Sequence, residues 1–292
     1  MNRKTKSVIE YIYFLAPMCV IFIIINLIPF LEGIRLSFRD WNGVSSTSNF
    51  IGLENYISIF QDKGFGSACL FSLKFVVCSV ILVNVVGLAL ALAVSSKLRT
   101  KNVLRTAFFL PQLIGGLVVG YVWKFIFSNV FPALAEKLHW NFLDVGWFTS
   151  PVYAFVAILI VFVWQYSGYL MIIYIAALQN VPTELIESAK IDGAGSFQRL
   201  RMVILPLIQG SITICIFLAI STAFKMYDLN VSLTGGSPFN STVSATLYIY
   251  REAFKSNRFS YAAAEGILFA AALGIVTLIQ MALTRKKEEI SE

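Results

Sequence analysis

Long charge-free stretches alternate with shorter polar ones along this chain. Apolar windows of lipid-crossing length fall at Tyr11–Leu31, Phe75–Val94, Thr106–Trp123, Val152–Leu178, Val203–Phe224 and Tyr261–Thr284. A span needs about 20 predominantly apolar residues. Lipid offers no partner for open backbone groups, so helices are the expected form. The pattern predicts an all-α polytopic membrane protein with six transmembrane helices. It divides into an N-terminal segment at 1–10, a six-span domain at 11–284 and a tail at 285–292.

Composition agrees. Of 292 residues 58% are hydrophobic and 13% charged, with a mean hydropathy of +0.76. A soluble domain is far less apolar. Arg3, Lys4 and Lys6 precede the first window as they would in a signal peptide. The apolar run is too long for one and no small-residue cleavage site follows, so an uncleaved span is expected.

Charge sets the expected orientation. Six spans place both termini on one side, together with the loops after spans two and four. Those loops carry Lys97, Arg99, Lys101, Arg105, Lys190, Arg199 and Arg201, and the tail adds Arg285, Lys286 and Lys287. The positive-inside rule makes that side cytoplasmic. The net charge of +7 follows from this topology, without nucleic-acid binding. Three sizeable outer loops are then expected at 32–68, 128–151 and 225–260, with Trp41, Trp140 and Trp147 at belt level. Asn240-Ser241-Thr242 matches a glycosylation sequon, a pattern too short to carry a function. Lys74 falls at the outer edge of span two, from which it reaches the headgroups.

Cys19, Cys69, Cys78 and Cys215 lie in or beside apolar windows without CxxC spacing, which reads as packing. His139 is the sole histidine, so no HExxH zinc site exists. No metal and no cofactor is called for.

Polar side chains inside spans are few, and each is informative. Asn84 lies in span two and Gln112 follows Pro111 in span three. Trp164, Gln165, Tyr166 and Tyr169 cluster in span four. Ser221 and Thr222 close span five, with Lys225 and Asp228 just beyond, and Glu265 sits near the start of span six. Any one of them serves equally well as a helix–helix hydrogen bond. The span-four cluster has more to say: aromatic faces beside amide and hydroxyl groups suit a polyhydroxylated ligand. Asn84, Gln165, Tyr166, Tyr169, Ser221, Thr222 and Lys225 form the candidate substrate-pathway set.

Between spans four and five lies a polar, glycine-broken elbow, 182–202. Asn180 or Thr183 is expected to cap a short helix, with Glu184 and Glu187 near its positive end. Asp192-Gly193 ends it, and Ser196 is expected to cap a second helix running into span five. Pro206 suggests a bend there. The elbow projects a small-residue surface at Ala189 and Gly193. On physics alone it suits either the bilayer surface or a partner protein.

The elbow's residues decide between these. Glu187-Ser188-Ala189, three residues, Gly193, nine residues and Val203-Ile204-Leu205-Pro206 resemble the EAA signature of binding-protein-dependent ABC importer permeases, with Ser188 for an alanine and Val203 for an isoleucine. "GLENY" (52–56), "LRTAFFLP" (104–111), "LTGGSPFNST" (233–242) and "LYIYREAF" (247–254) resemble the carbohydrate branch, which includes the maltose and glycerol-phosphate systems.

That resemblance implies the type I (MetI-like) permease fold. It also implies a second permease subunit in a heterodimer, two ATP-binding subunits, an external solute-binding protein and a sugar substrate. The chain itself is then no enzyme. It contains no Gly-Lys dipeptide, so a GxxxxGK[ST] P-loop is impossible here. The resemblance makes the elbow the ATPase-coupling helix, through Glu187, Ala189, Asp192 and Gly193. Tyr169 aligns with a sugar-contacting tyrosine of the maltose type. The family's serine and asparagine contacts in the next span fall on Ala219, Ala223 and Met226. Other readings are an importer permease for a non-sugar solute, a secondary transporter and a membrane enzyme. The secondary transporter lacks charged groups in the central spans. The enzyme lacks clustered carboxylates.

Overall fold

The computed structural model describes Tyr13 and residues 15–95 and 100–291, with 285–291 described by backbone alone. The N-terminal segment 1–10, Tyr11, Lys97, Arg99 and the side chains of Arg285, Lys286 and Lys287 lie outside the described residues. In order the elements are α1 (Leu15–Ser37), β1 (Arg39–Asp40), β2 (Asn49–Phe50), α2 (Glu54–Gln61), α3 (Lys63–Val94), α4 (Lys101–Phe109), α5 (Gly116–Leu138), α6 (Pro151–Gln179), α7 (Thr183–Ile191), α8 (Ser196–Leu207), α9 (Gln209–Phe224), α10 (Asp228–Leu233), α11 (Ala245–Phe254) and α12 (Phe259–Ser291). Among the described residues five helices are long and apolar enough to cross a membrane, and the bent pair α8–α9 makes a sixth. The structure is thus an all-α membrane fold, its β content among the described residues one antiparallel pair of two-residue strands.

The first span continues past Leu31 to Ser37, and three others depart further from expectation. The window 106–123 is split: α4 passes into a 3₁₀ turn at Leu110–Leu113, Ile114 is extended, and the spanning helix is α5. Pro111 supplies no backbone N–H, and the glycine pair 115–116 holds no helix across the break. Span five bends by 78° between Leu207 and Gln209, after a π turn at Leu200–Ile204. Pro206 withholds the donor that would close the preceding turn. Span two begins at Lys63, well before Phe75. Hydropathy marks the piece inside lipid, and the helix continues past it. The segments expected as long loops are accordingly part helix: α2 in 32–68, the end of α5 in 128–151, α10 and α11 in 225–260.

The chain forms two compact units, Met1–Lys63 with Ile249–Ala271, and Gly64–Tyr248 with Ala272–Glu292. In the first, Asn55 donates to the carbonyls of Ser37 at 2.8 Å and Arg39 at 2.9 Å, and Tyr56 meets the Ser37 hydroxyl at 2.7 Å. The "GLENY" stretch therefore fastens α2 to the end of α1. Glu265 is fully buried there, and neither carboxylate oxygen has a partner among the described residues.

The second unit is built around α6, half of whose apolar window is buried. Phe75 of α3 meets Phe162 edge-on at 5.1 Å, and Ile158, Val161 and Met171 of α6 are fully buried. Gly168 lets the Phe108 carbonyl of α4 sit where a Cβ would be. Gly120 does the same for Ser232, seating α10 on α5. The "LTGGSPFNST" segment is pinned by buried Asn230, which donates to the Thr242 carbonyl at 2.8 Å and accepts from Ser244 N–H at 3.1 Å.

Candidate functional site

The α6 sequence places Phe162, Gln165, Tyr166 and Tyr169 on neighbouring helical rows, three and four residues apart. α9 ends at Phe224, and the chain turns through Lys225–Tyr227 into α10. Between them opens a cavity of about 320 Å³ lined by Phe162, Gln165, Tyr166, Thr222, Lys225 and Asp228, with Gly116 at its edge. That size falls within the range of small-ligand pockets. The Tyr166 ring packs on Phe162 at 4.4 Å between centroids. Gln165 is 2% exposed: its Nε2 donates to the Ile114 carbonyl at 2.9 Å, while Oε1 is buried without a partner among the described residues. Lys225 and Asp228 are both exposed, and no ion pair joins them among the described residues.

Four candidate residues thus converge: Gln165, Tyr166, Thr222 and Lys225. Tyr169 lies one turn further on, in a small apolar cleft with Val83, Leu218 and Ala219, which shares Tyr166 and Thr222 with the cavity. Asn84 is elsewhere, donating to the Val80 carbonyl at 2.7 Å and accepting from Tyr174 at 2.6 Å. Ser221 lines neither space, and Trp164 packs edge-on against Trp123 at 5.4 Å. Phe162 and Gly116 escaped the sequence reading. Phe162 was detectable as the residue four before Tyr166. Gly116 approaches Asp228 so closely that a Cβ would sit 3.0 Å from that residue's Cβ, a constraint with no local signal.

The elbow is set by turn chemistry. α7 starts after Pro182, whose position at the cap replaces the expected Asn180 or Thr183; neither supplies a capping hydrogen bond. It ends in a Schellman turn: Gly193 adopts φ +81°, its N–H reaches the Lys190 carbonyl at 3.2 Å, and Ala194 N–H reaches Ala189 at 2.9 Å. α8 is capped at Gly195, whose N–H donates to Gln198 Oε1 at 2.9 Å, where Ser196 had been expected. Glu187, Asp192 and Gly193 are exposed and Ala189 half-buried. Nothing lies within 4 Å of a Cβ placed on Gly193. Ile191 and Phe197 are 86% and 72% exposed, a bare apolar pair on a polar loop.

Lipid-length helices around a polar cavity, with an exposed elbow between two of them, make this a polytopic membrane protein with an opening among its helices. Residues 83–289 match the family described as binding-protein-dependent transport system inner membrane component, and the chain belongs to that family. It is 42% identical over 97% of its length, and 96% of the relative's, to a probable starch degradation products transport system permease protein of Thermoanaerobacterium thermosulfurigenes. It is 33% identical, over 89% of the chain and 90% of the relative, to a multiple sugar-binding transport system permease protein of Streptococcus mutans. The fold matches a chain of a bacterial ABC transporter involved in the import of the acidic polysaccharide alginate. The TM-score is 0.83 at 22% identity, covering 97% of this chain and 99% of that one.

Proposed function

We propose that this chain forms part of the membrane path of a carbohydrate importer, with sugar passing through the cavity between α6, α9 and α10. Gln165 carries the reading. Its Oε1 is a buried acceptor with no donor among the described residues, on a side chain that borders the cavity, and a sugar hydroxyl supplies one when the amide turns toward the opening. Tyr166 offers a ring face for a sugar's C–H surface, and Thr222, Lys225 and Asp228 offer further hydrogen bonds. Tyr169 extends the path into the adjoining cleft. The sugar-transport relatives support the same substrate class.

The assembly comprises this chain, a distinct second permease subunit, two ATP-binding subunits and an external solute-binding protein. None of the apolar window of α1 is buried within the chain, which suits a neighbouring subunit. Both termini and the elbow face the cytoplasm. Glu187, Ala189, Asp192 and Gly193 meet the ATPase, with the acidic pair making charge-assisted hydrogen bonds and Gly193 allowing close approach. ATP binding draws the ATPases together, the elbows follow, and the helices rock to admit sugar from outside.

The test is ATP-driven uptake by the reconstituted importer of labelled malto-, xylo- and cello-oligosaccharides, beside a peptide and phosphate. Uptake of one saccharide series is expected, falling at least tenfold in Gln165→Leu while ATPase assembly persists. Uptake of peptide or phosphate in place of every saccharide overturns the reading.

A further inference from the structure

The first unit holds a cleft of about 440 Å³ that the transport path does not use. It lies between the end of β1, α2 and the first turn of α12, at the polar end of two lipid-length helices, α1 and α12. Its walls are tied together. The Ser260 N–H donates to the Trp41 carbonyl at 3.1 Å, and Asn55 holds α2 to the carbonyls of Ser37 and Arg39. Asn42 Oδ1 accepts from the N–H groups of Val44 and Ser45 at 3.0 and 2.8 Å, which fixes the turn after β1.

The lining decides the ligand's chemistry. Asp40 and Glu54 bring carboxylates, Ser58 a hydroxyl and Asn257 an amide, and none of these side chains has a hydrogen bond or ion pair among the described residues. The Asn42 amide nitrogen is equally unused among them. Ser260 borders the cleft at 2% exposure, its Oγ buried without a partner among the described residues. Half-buried Trp41 adds ring surface, its indole N–H already given to the Ser45 carbonyl at 2.8 Å. Arg258, the cation of the lining, is engaged by Glu252 at 3.0 Å and by the Tyr261 ring at 3.7 Å.

An anion would therefore meet two carboxylates with the cation already taken. A metal ion is no better served, since no group of three carboxylate, histidine or cysteine side chains converges among the described residues. A basic side chain would use the carboxylates and leave the amide and hydroxyl donors idle. Sugar hydroxyls both donate and accept, so a neutral polyol uses both kinds of group, with Trp41 against its C–H surface. The cleft's volume is that of a small-ligand site.

We propose that this cleft is a second saccharide site, separate from the membrane path, holding a neutral sugar through Asp40, Asn42, Glu54 and Asn257. Its ligand class rests on the carbohydrate-importer reading, which also makes this face external. A turn of χ1 to another rotamer lets Ser260 join the contact.

The test uses the assembled importer without ATP or binding protein, in a Gln165→Leu background that removes the path's sugar contact. Maltotriose, xylotriose and cellotriose, each bearing a diazirine, are photolysed with it beside a diazirine-bearing polyethylene glycol, and the label is mapped by peptide mass spectrometry. One trisaccharide is expected to label 40–58 or 257–261 at least fivefold above the glycol. Asn257→Ala and Ser58→Trp, which removes a contact and fills the cleft respectively, should each lower that label at least fivefold at an unchanged thermal midpoint. Ile57→Ser, exposed on α2 outside the cleft, should change nothing. Labelling no stronger than the glycol's, or labelling that both cleft variants leave intact, would overturn the proposal. So would a cleft that no saccharide labels and that the sugar-free binding protein shields, which would make it a docking surface. Loss of the label with saccharide uptake intact ends this site alone; labelling beside uptake of peptide only ends the transport reading instead.

Discussion

The Tyr174 hydroxyl donates to the Asn84 amide oxygen at 2.6 Å, fastening α6 to α3 across 90 residues of chain. Asn84 also donates to the Val80 carbonyl one turn back, so both ends of its amide are engaged. Intramembrane hydrogen bonds of this kind contribute about 0.6 kcal/mol on average. Tyr174→Phe is expected to lower unfolding free energy by about that amount, measured by reversible unfolding in mixed micelles. Tyr174→Phe combined with Asn84→Leu should cost less than the two singles summed. A change in sugar selectivity with stability intact would instead assign Asn84 to the ligand.

Gly168 admits the Phe108 carbonyl against α6, where a methyl group has no room. Gly168→Ala must push α4 away, at about 1–3 kcal/mol for an overpacked contact. Gly274→Ala, with nothing within 4 Å, is the matched control. Thermal unfolding of the two variants should separate them clearly; equal midpoints would mean that α4 does not pack on α6 as described.

At Gly193 the strain lies in the backbone alone. Its φ of +81° would cost an alanine about 1–2 kcal/mol, and asparagine much less. Gly193→Asn should retain the turn, while Gly193→Asp adds charge to a face with open space around it. The readout is co-purification of the ATP-binding subunit from native membrane. Retention with asparagine and loss with aspartate supports the elbow as the contact; full retention with both sinks it.

Asn230 holds the 234–244 segment through Thr242, Thr234 and Ser244. Asn230→Ala leaves the Thr242 carbonyl and Ser244 N–H without these partners, at about 1–3 kcal/mol for a buried group. Faster amide exchange confined to that segment is the expected signature. Unchanged protection would show that Thr242 and Ser237 suffice to fix it.

The span-four cluster shows where reading a sequence stops. Gln165 and Tyr166 were legible as polar and aromatic groups in an apolar run, and they do share a cavity. Trp164, one residue earlier, points to Trp123 instead. A helix turns about 100° per residue, so neighbours in sequence part company in space. Ser221 and Thr222 divide in the same way, and only the packed neighbours say which residue faces the opening.

What the sequence determined by itself was local or compositional. Uncharged runs of lipid length imply helices because hydrocarbon leaves backbone groups no other partner. Asp192-Gly193 implies a helix stop because glycine alone enters the left-handed region freely. The EAA spacing placed the elbow in its family. Tertiary structure decided the rest: the split of the third window, the 78° bend of the fifth, the pairing of Asn84 with Tyr174 and the cleft between α2 and the start of α12. Each depends on which face of one helix meets which face of another, and that is fixed by close packing between segments far apart in the chain.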